Sequence, residues 1–244
     1  MDNYDLTSFK LGLNNLGIVL TDEQIEKFLL YYKNLIEWNK VMNLTTITEF
    51  EDVVHKHFLD SLSIVKALPA EELQKQETVI DIGTGAGFPG IPLAIAFPSL
   101  NITLLDSLQK RVRFLNDTIE KCHLGNVTAI QSRAEDAGRN KKYREKFSLV
   151  VSRAVANLST LSEYCLPLVE KGGLFISYKS GNIDEEAAEA GKAVKLLGGS
   201  KPEIVRFTLE GTEDSRSLVK IKKINTTSAK YPRKSGTPSR DPIR

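Results

Sequence analysis

Apolar positions recur with two different periods along the chain, and the change falls near residue 77. Ile25, Phe28, Leu29, Tyr32, Leu35 and Ile36 lie on one face of a repeat of about 3.6 residues. Thr21-Asp22-Glu23-Gln24 ahead of them is a capping box, in which Thr21 and Gln24 satisfy each other's backbone N–H groups. A helix is therefore predicted from residue 22 to about residue 41, and Val54, Phe58, Leu62 and Val65 predict a second over 51–65. Residues 1–77 read as a small helical cap.

From Thr78 short β-branched runs alternate with helical stretches. Strands are predicted at 78–82, 102–106, 127–131, 148–152 and 173–179, and helices at 90–96, 108–122, 157–169 and 184–197. Such alternation implies an α/β fold, a mostly parallel sheet with helices on both faces. Two further strands, 203–208 and 216–224, have no clear helix between them, which implies an antiparallel hairpin at the sheet edge. From about residue 225 the chain is rich in Lys, Pro, Ser, Gly and Thr and predicts a mobile or partner-ordered tail. The expected organisation is a cap over 1–77, a sheet domain over 78–224 and a tail over 225–244.

Composition narrows the setting. The 244 residues are 41% hydrophobic and 26% charged, ordinary for a soluble globular protein. No apolar run approaches the roughly 20 residues needed to span a bilayer. The start, Met1-Asp2-Asn3-Tyr4-Asp5, lacks the layout of a signal peptide, so no membrane association and a cytoplasmic location are expected. Cys122 and Cys165 are too few and too far apart for a zinc site or a disulfide framework; they read as buried thiols, and no metal is expected. The net charge of +2 is unevenly spread: residues 1–77 carry −6 and residues 220–244 carry +7. A basic end on an acidic body suits a polyanionic partner, and equally a solvated tail.

The densest chemistry is Asp81-Ile82-Gly83-Thr84-Gly85-Ala86-Gly87-Phe88-Pro89-Gly90, where a buried strand reaches an acid and breaks into glycines before a helix. A loop so poor in side chains lets a ligand lie against backbone N–H groups and a helix N-terminus. Gly85-x-Gly87-x-x-Gly90 also matches the dinucleotide fingerprint, a weak signal alone. A pyrophosphate gains nothing from the Asp81 carboxylate, whereas a ligand with an ammonium group does, and little chain remains for a substrate domain. Asp81-x-Gly83-x-Gly85-x-Gly87 resembles the signature of S-adenosylmethionine-dependent methyltransferases, whose class I fold has seven strands with such a hairpin ending. In that reading Asp81 accepts from the ammonium group, directly or through water, and Gly83 and Gly85 let the backbone approach the methionine part. Asp106, ending the second strand, holds ribose hydroxyls or merely favours the next helix. The Ala134 and Glu135 backbone, after the third strand, flanks the adenine.

Val151-Ser152-Arg153-Ala154 ends the fourth strand, where the methyl group is delivered. No Asn/Asp-Pro-Pro-Tyr is present to hold an exocyclic amine, and no Pro-Cys or Thr-Cys pair to attack a pyrimidine carbon. Arginine is a permanent cation and a poor base. An acceptor needing no deprotonation fits best, and guanine N7 has an in-plane lone pair. Arg153 then contacts the cofactor or the guanine edge, where its fork suits O6, or stands in a structural ion pair. Asn39, Asn43, His57 and Asp60 in the cap read mainly as capping and cap-to-core hydrogen-bonding groups. Lys230, Arg233 and Lys234, interleaved with Tyr231, suit phosphate contacts with one stacking ring.

Taken together, Trp38-Asn-Lys-x-x-Asn-Leu-Thr, His57-x-Leu-Asp-Ser, the block from Asp81 through Gly-Phe-Pro-Gly-Ile-Pro, Ser132-Arg-Ala-Glu, Ser152-Arg-Ala and Tyr231-Pro-Arg-Lys-x-Gly-Thr-Pro resemble one family: the bacterial small-subunit ribosomal RNA guanine-N7 methyltransferases, also called glucose-inhibited division protein B. The resemblance runs from about Trp38 to Ile243. It implies S-adenosylmethionine as methyl donor, a guanine of 16S rRNA or of the ribosomal subunit as target, and a cofactor site lined by Gly83, Phe88, Ala134, Glu135 and Arg153. A monomer is expected. The same fold acting on another RNA, a protein or a small molecule, or a non-catalytic RNA-binding module, are the competing readings.

Overall fold

The computed structural model describes residues 4–244; the acidic start at residues 1–3 lies outside them. Seven strands make one sheet: β1 (Thr78–Ile82), β2 (Asn101–Asp106), β3 (Val127–Gln131), β4 (Phe147–Arg153), β5 (Val169–Ser180), β6 (Glu203–Thr208) and β7 (Ser215–Lys222). Their order is β3-β2-β1-β4-β5-β7-β6. The first five pair in parallel, and β7 runs antiparallel between β5 and β6. This is the expected class I methyltransferase sheet with its hairpin edge. β1 is flanked by β2 on one side and β4 on the other, so the strand order reverses there. A crevice opens at such a point, beyond the carboxyl ends of the strands.

Strand residues alternate between two cores. Val79, Leu104, Leu149, Val151 and Ile176 join a cluster that also holds Phe28, Tyr31, Leu35 and Phe58 of the N-terminal part. Ile80, Ile82, Leu105, Val150 and Phe175 join a second cluster with Leu158, Leu161, Val194 and Leu197. The N-terminal helices thus share a core with one sheet face.

Those helices are α1 (Thr7–Asn15), which the periodicity did not predict, and α2 (Asp22–Asn39). The capping box forms as read: Gln24 N–H donates to Thr21 Oγ1 at 3.2 Å and Thr21 N–H to Gln24 Oε1 at 2.9 Å. The second predicted helix is one helical run of changing pitch: α3 (Phe50–Val53), a π turn (Val54–Leu59), α4 (Asp60–Leu62) and a 3₁₀ turn (Ser63–Lys66). A π turn inserts a residue and rotates the rest of the helix about its axis. Here His57 and Asp60 are both buried beside Val54, Phe58 and Leu62.

A short α5 (Ala70–Leu73) leads to β1. Then come α6 (Gly90–Ala96), α7 (Gln109–Lys121), α8 (Ala134–Arg139), α9 (Leu158–Cys165), α10 (Asp184–Glu189), α11 (Gly191–Leu196) and α12 (Thr237–Arg240). The helix expected over 157–169 stops at Cys165 because β5 starts at Val169, and that expected over 184–197 is broken between Glu189 and Gly191.

The tail, expected to be mobile or ordered by a partner, is ordered on the chain's own body. Residues 225–244 fold back onto α8 and α9. The Arg144 guanidinium donates to Thr227 O and Tyr231 O, both at 2.7 Å, and Thr227 N–H donates to Glu145 Oε1 at 2.7 Å. Composition suggested disorder, but the segment's polar partners, Arg144 and Glu145 among them, lie elsewhere in the chain. Lys223, one of the cations counted over residues 220–244, is wholly buried against Glu145, and burial brings it down to about 8.

Candidate functional site

The crevice holds a cavity of about 360 Å³ at the carboxyl ends of β1 to β4. Ile82, Gly83, Asp106, Ala134, Glu135 and Val155 line it, with Arg111, Ser132, Tyr164, Gly236 and Ser239 among the others. Four predicted site residues therefore meet there: Gly83, Asp106, Ala134 and Glu135. Gly83 has φ +69°, and a Cβ on it would stand 2.7 Å from Val155 Cγ2. Only glycine accommodates both the left-handed backbone and that approach. Asp106 is buried; its Oδ2 accepts from Gly85 N–H at 3.0 Å and from Arg111 Nη1 at 3.3 Å, and its Oδ1 from Leu108 N–H at 2.9 Å. Oδ1 thus retains a lone pair for a further donor.

Three predicted contacts lie outside that lining. Asp81 is fully buried and is not among the cavity-lining residues. Its Oδ2 accepts from Thr84 Oγ1 at 2.6 Å and Gly90 N–H at 2.9 Å, which staples the two ends of the glycine loop. Among the described residues its Oδ1 has no hydrogen-bond partner. Burial pushes Asp81 up to about 6, and the two hydrogen bonds and the Arg153 cation only partly offset that. Asp81 therefore shapes the loop and keeps one carboxylate oxygen uncommitted behind it. Gly85 likewise gives its N–H to Asp106 instead of lining the cavity. Phe88, expected to flank the cofactor, is buried against His57, with ring centroids 4.4 Å apart, and against Tyr31 at 5.4 Å. An aromatic cluster of the cap claims this side chain, which strand-and-loop reading of the glycine block could not anticipate.

Arg153, at the end of β4, lines a second cavity of about 420 Å³ with Lys56, His57, Asp60, Tyr178, Phe207 and Arg216. Ala154 lines both cavities. It has φ +55°, a left-handed conformation that L-residues adopt at a cost. Arg153 Nη1 meets Asp60 Oδ2 at 2.7 Å, Nη2 donates to His57 Nδ1 at 3.2 Å, and the guanidinium lies 4.9 Å from the Phe88 ring centroid. The ion-pair reading of Arg153 therefore holds in this structure, and its partners are the cap residues Asp60 and His57. Burial, then the Arg153 cation, pushes His57 down to about 3, so the ring is neutral. Asn39 is a loop staple as read, accepting from Leu44 and Thr45 N–H at 2.8 and 3.0 Å.

Of the predicted RNA contacts, Lys230 and Lys234 are exposed. Arg233 is half-buried, and its guanidinium grips the buried Glu163 carboxylate, with Nη2 to Oε2 at 2.8 Å and Nε to Oε1 at 3.0 Å. Sequence reading missed Tyr164, Gly236 and Ser239 in the first cavity and Arg216 in the second. Tyr164 directly follows the buried glutamate on α9, but nothing in its local pattern separates it from a core tyrosine. Cys122 and Cys165 are free buried thiols, Cys122 pushed up to about 12 by burial. Among the described residues no helix is long and apolar enough to cross a membrane, and no three His, Cys, Asp or Glu side chains are grouped to hold a metal.

A glycine loop after β1, a buried acid ending β2 and this strand order define a class I methyltransferase. The model of the GidB family, rRNA small subunit methyltransferase G, matches residues 24–219. The chain belongs to that family. It is 51% identical to the ribosomal RNA small subunit methyltransferase G of Lachnoclostridium phytofermentans over 98% of both chains. With that of Desulforamulus reducens it shares 52%, over 98% of this chain and 99% of the relative. Among solved structures, the apo form of the S-adenosylmethionine-dependent methyltransferase SibL superposes with a TM-score of 0.52 at 18% identity, covering 68% of this chain and 56% of that one. A predicted O-methyltransferase of Agrobacterium tumefaciens, Atu636, gives 0.52 at 18% identity over 67% and 81%. At such identity these two share the fold.

The residues present fit S-adenosylmethionine. The Gly83 cradle would be filled by a Cβ, Asp106 offers a carboxylate lone pair where ribose hydroxyls would lie, and the unpartnered Asp81 Oδ1 supplies negative potential behind the loop.

Proposed function

We propose that this chain transfers the methyl group of S-adenosylmethionine to N7 of a guanine in small-subunit (16S) ribosomal RNA, as a monomer in the cytoplasm. The observation that carries this reading is the meeting of two cavities at Ala154: one fits a nucleoside cofactor, and the other is lined by cations and aromatic rings. S-adenosylmethionine supplies an electrophilic methyl group on a sulfonium sulfur. Asp106 and the Ala134-Glu135 backbone would hold the adenosine part, and Gly83 would let the backbone approach the remainder. The guanine enters beside Arg153, Arg216, Tyr178 and Phe207, with N7 turned toward Ala154. When bound, S-adenosylmethionine would supply the methyl group to the N7 lone pair, and Arg153, Arg216, Tyr178 and Phe207 would hold the ring for it.

No proton leaves the acceptor, so the site needs no base, and its composition suits that. His57 is neutral but engaged by Arg153 and, at 2.9 Å, by Thr45 Oγ1. The side chains therefore act by positioning and by excluding water. The family name supports small-subunit rRNA as the target, and the absence of amine- and carbon-directed motifs supports N7. Lys230 and Lys234 extend the RNA contact outside the crevice. Cleavage of rRNA with borohydride and aniline, followed by primer extension, tests the assignment. The N7-dependent stop should vanish from cells lacking the gene and return with it; a stop that persists without the gene would refute it.

A further inference from the structure

We infer that residues 225–244 belong to the cofactor site: they form a strap whose Gly236–Ser239 stretch walls the adenosine end of the first cavity, with Glu163 and Arg233 as the positioning pair that seats it. The inference rests on reading that cavity as the S-adenosylmethionine site.

Two observations join here. First, Gly236 and Ser239 line the cavity although they lie more than 150 residues beyond Asp81 in the chain. They complete a wall that the sheet leaves open. Second, the strap is fastened to both elements that supply the neighbouring wall. On α8, Arg139 Nε donates to Pro232 O at 2.9 Å, and Gly236 N–H donates to Glu135 Oε1 at 2.7 Å. Glu135 itself lines the cavity, and its carboxylate holds the strap. Gly138 lets the strap lie close, because a Cβ there would stand 2.9 Å from Pro232 Cγ. On α9, Thr160 Oγ1 donates to Pro238 O at 3.0 Å.

The fastening that decides position is Glu163–Arg233. Glu163 is 1% exposed, and a carboxylate so enclosed is tolerated only when paired. It takes both the Arg233 backbone N–H, at 2.7 Å, and the guanidinium. The guanidinium is further engaged by Asp241, through Oδ2 at 3.2 Å and the carbonyl at 2.7 Å. Backbone and side chain of one strap residue are thus fixed to one buried group, and the next residue on α9, Tyr164, faces the cavity. A shift of the strap would move Gly236, Ser239, Glu135 and Tyr164 together. Arg233 is on this view a structural clamp for cofactor binding and makes no phosphate contact.

The test is calorimetric titration of S-adenosylhomocysteine into the full chain, with thermal unfolding of every variant. Arg233→Ala should weaken binding by about tenfold or more, with Arg233→Lys intermediate because one charge without the fork holds Glu163 less well. Ser239→Trp is the second arm. Position 239 is exposed, so the larger side chain intrudes on the cavity without disturbing the core, and binding should fall at unchanged Tm. Thr226→Ala, exposed on the same strap but away from the cavity lining, should bind as the parent does. In turnover the Arg233 variants should raise KM for the methyl donor more than they lower kcat, and leave RNA affinity unaltered. Parent-like binding of S-adenosylhomocysteine by both Arg233→Ala and Ser239→Trp overturns the strap while sparing the cofactor reading. A parent chain that binds none overturns that reading, and the strap with it. If Arg233→Ala fails to fold, Ser239→Trp decides.

Discussion

Asp60 holds two arginines from distant parts of the chain: Arg153 at 2.7 Å through Oδ2 and Arg216 at 3.1 Å through Oδ1. The cap is thereby tied to the end of β4 and to the start of β7 at the wall of the second cavity. All three side chains are largely removed from water, so deleting the carboxylate would leave two cations without their shared partner. Asp60→Ala should cost about 3 kcal/mol of stability and abolish methyl transfer, as read by urea unfolding and by incorporation of labelled methyl into small subunits. Arg216→Ala, which leaves Asp60 still paired with Arg153, should cost less. Equal losses in the two variants would show that the two arginines do not share Asp60.

This triad also marks where sequence reading stops. The sheet was legible where strands are short runs rich in β-branched residues, and strands such as 78–82 and 127–131 form at the predicted residues. The glycine loop was legible because its chemistry is local. Asp60 with Arg216 spans 156 residues, and no local pattern couples them. The π turn at Val54–Leu59 was equally hidden, since it preserves the helical look of the sequence while turning His57 and Asp60 inward. The tail misled in the opposite direction. Its Lys, Pro and Gly content describes a disordered segment, yet the carboxylates that order it, Glu135, Glu145 and Glu163, sit about 70 to 100 residues earlier.

Asp81 and His57 should give the fold opposing responses to acid. Asp81 is raised to about 6 by burial, so its contribution is full below its unfolded value near 3.8 and is lost as pH rises through about 6. His57 is lowered to about 3, so the unfolded chain binds the extra proton, and stability is lost as pH falls below about 6.5. Between pH 4 and 6 the two slopes oppose each other. Relative to the parent, Asp81→Asn should lose stability more steeply on acidification from pH 6.5 to 4.5, and His57→Gln less steeply. Urea midpoints at several pH values read this directly. Curves that stay parallel to the parent's would mean that neither group titrates as its burial requires.

Gly83 carries the loop's closest approach. Alanine there must adopt φ +69°, at a cost of roughly 1–2 kcal/mol, and its Cβ would push on Val155 across the cavity mouth. Gly83→Ala should therefore lose S-adenosylhomocysteine binding by more than about tenfold while staying folded at room temperature. Adding Val155→Ala removes the collision but not the backbone cost. The double variant should regain part of the affinity and none of the stability. Recovery of both would place the whole effect in the side-chain contact.

The exposed cations of the strap remain for RNA. Lys230 and Lys234 are exposed, and among the described residues neither forms an ion pair, so each can neutralise a phosphate. Arg233 cannot, because Glu163 and Asp241 engage it. The salt dependence of RNA affinity counts released counterions, with a slope of about 0.7 per phosphate on single strands and about 0.9 on duplex. Replacing Lys230 and Lys234 together by Ala should reduce the slope by about 1.4 on an unpaired target, measured by filter binding across a range of potassium chloride. Arg233→Ala should leave the slope where it was and lower only cofactor affinity. The two variants therefore separate one strap into two functions. A slope that falls with Arg233 and stays with the lysines would reverse the assignment and return the arginine to the RNA interface.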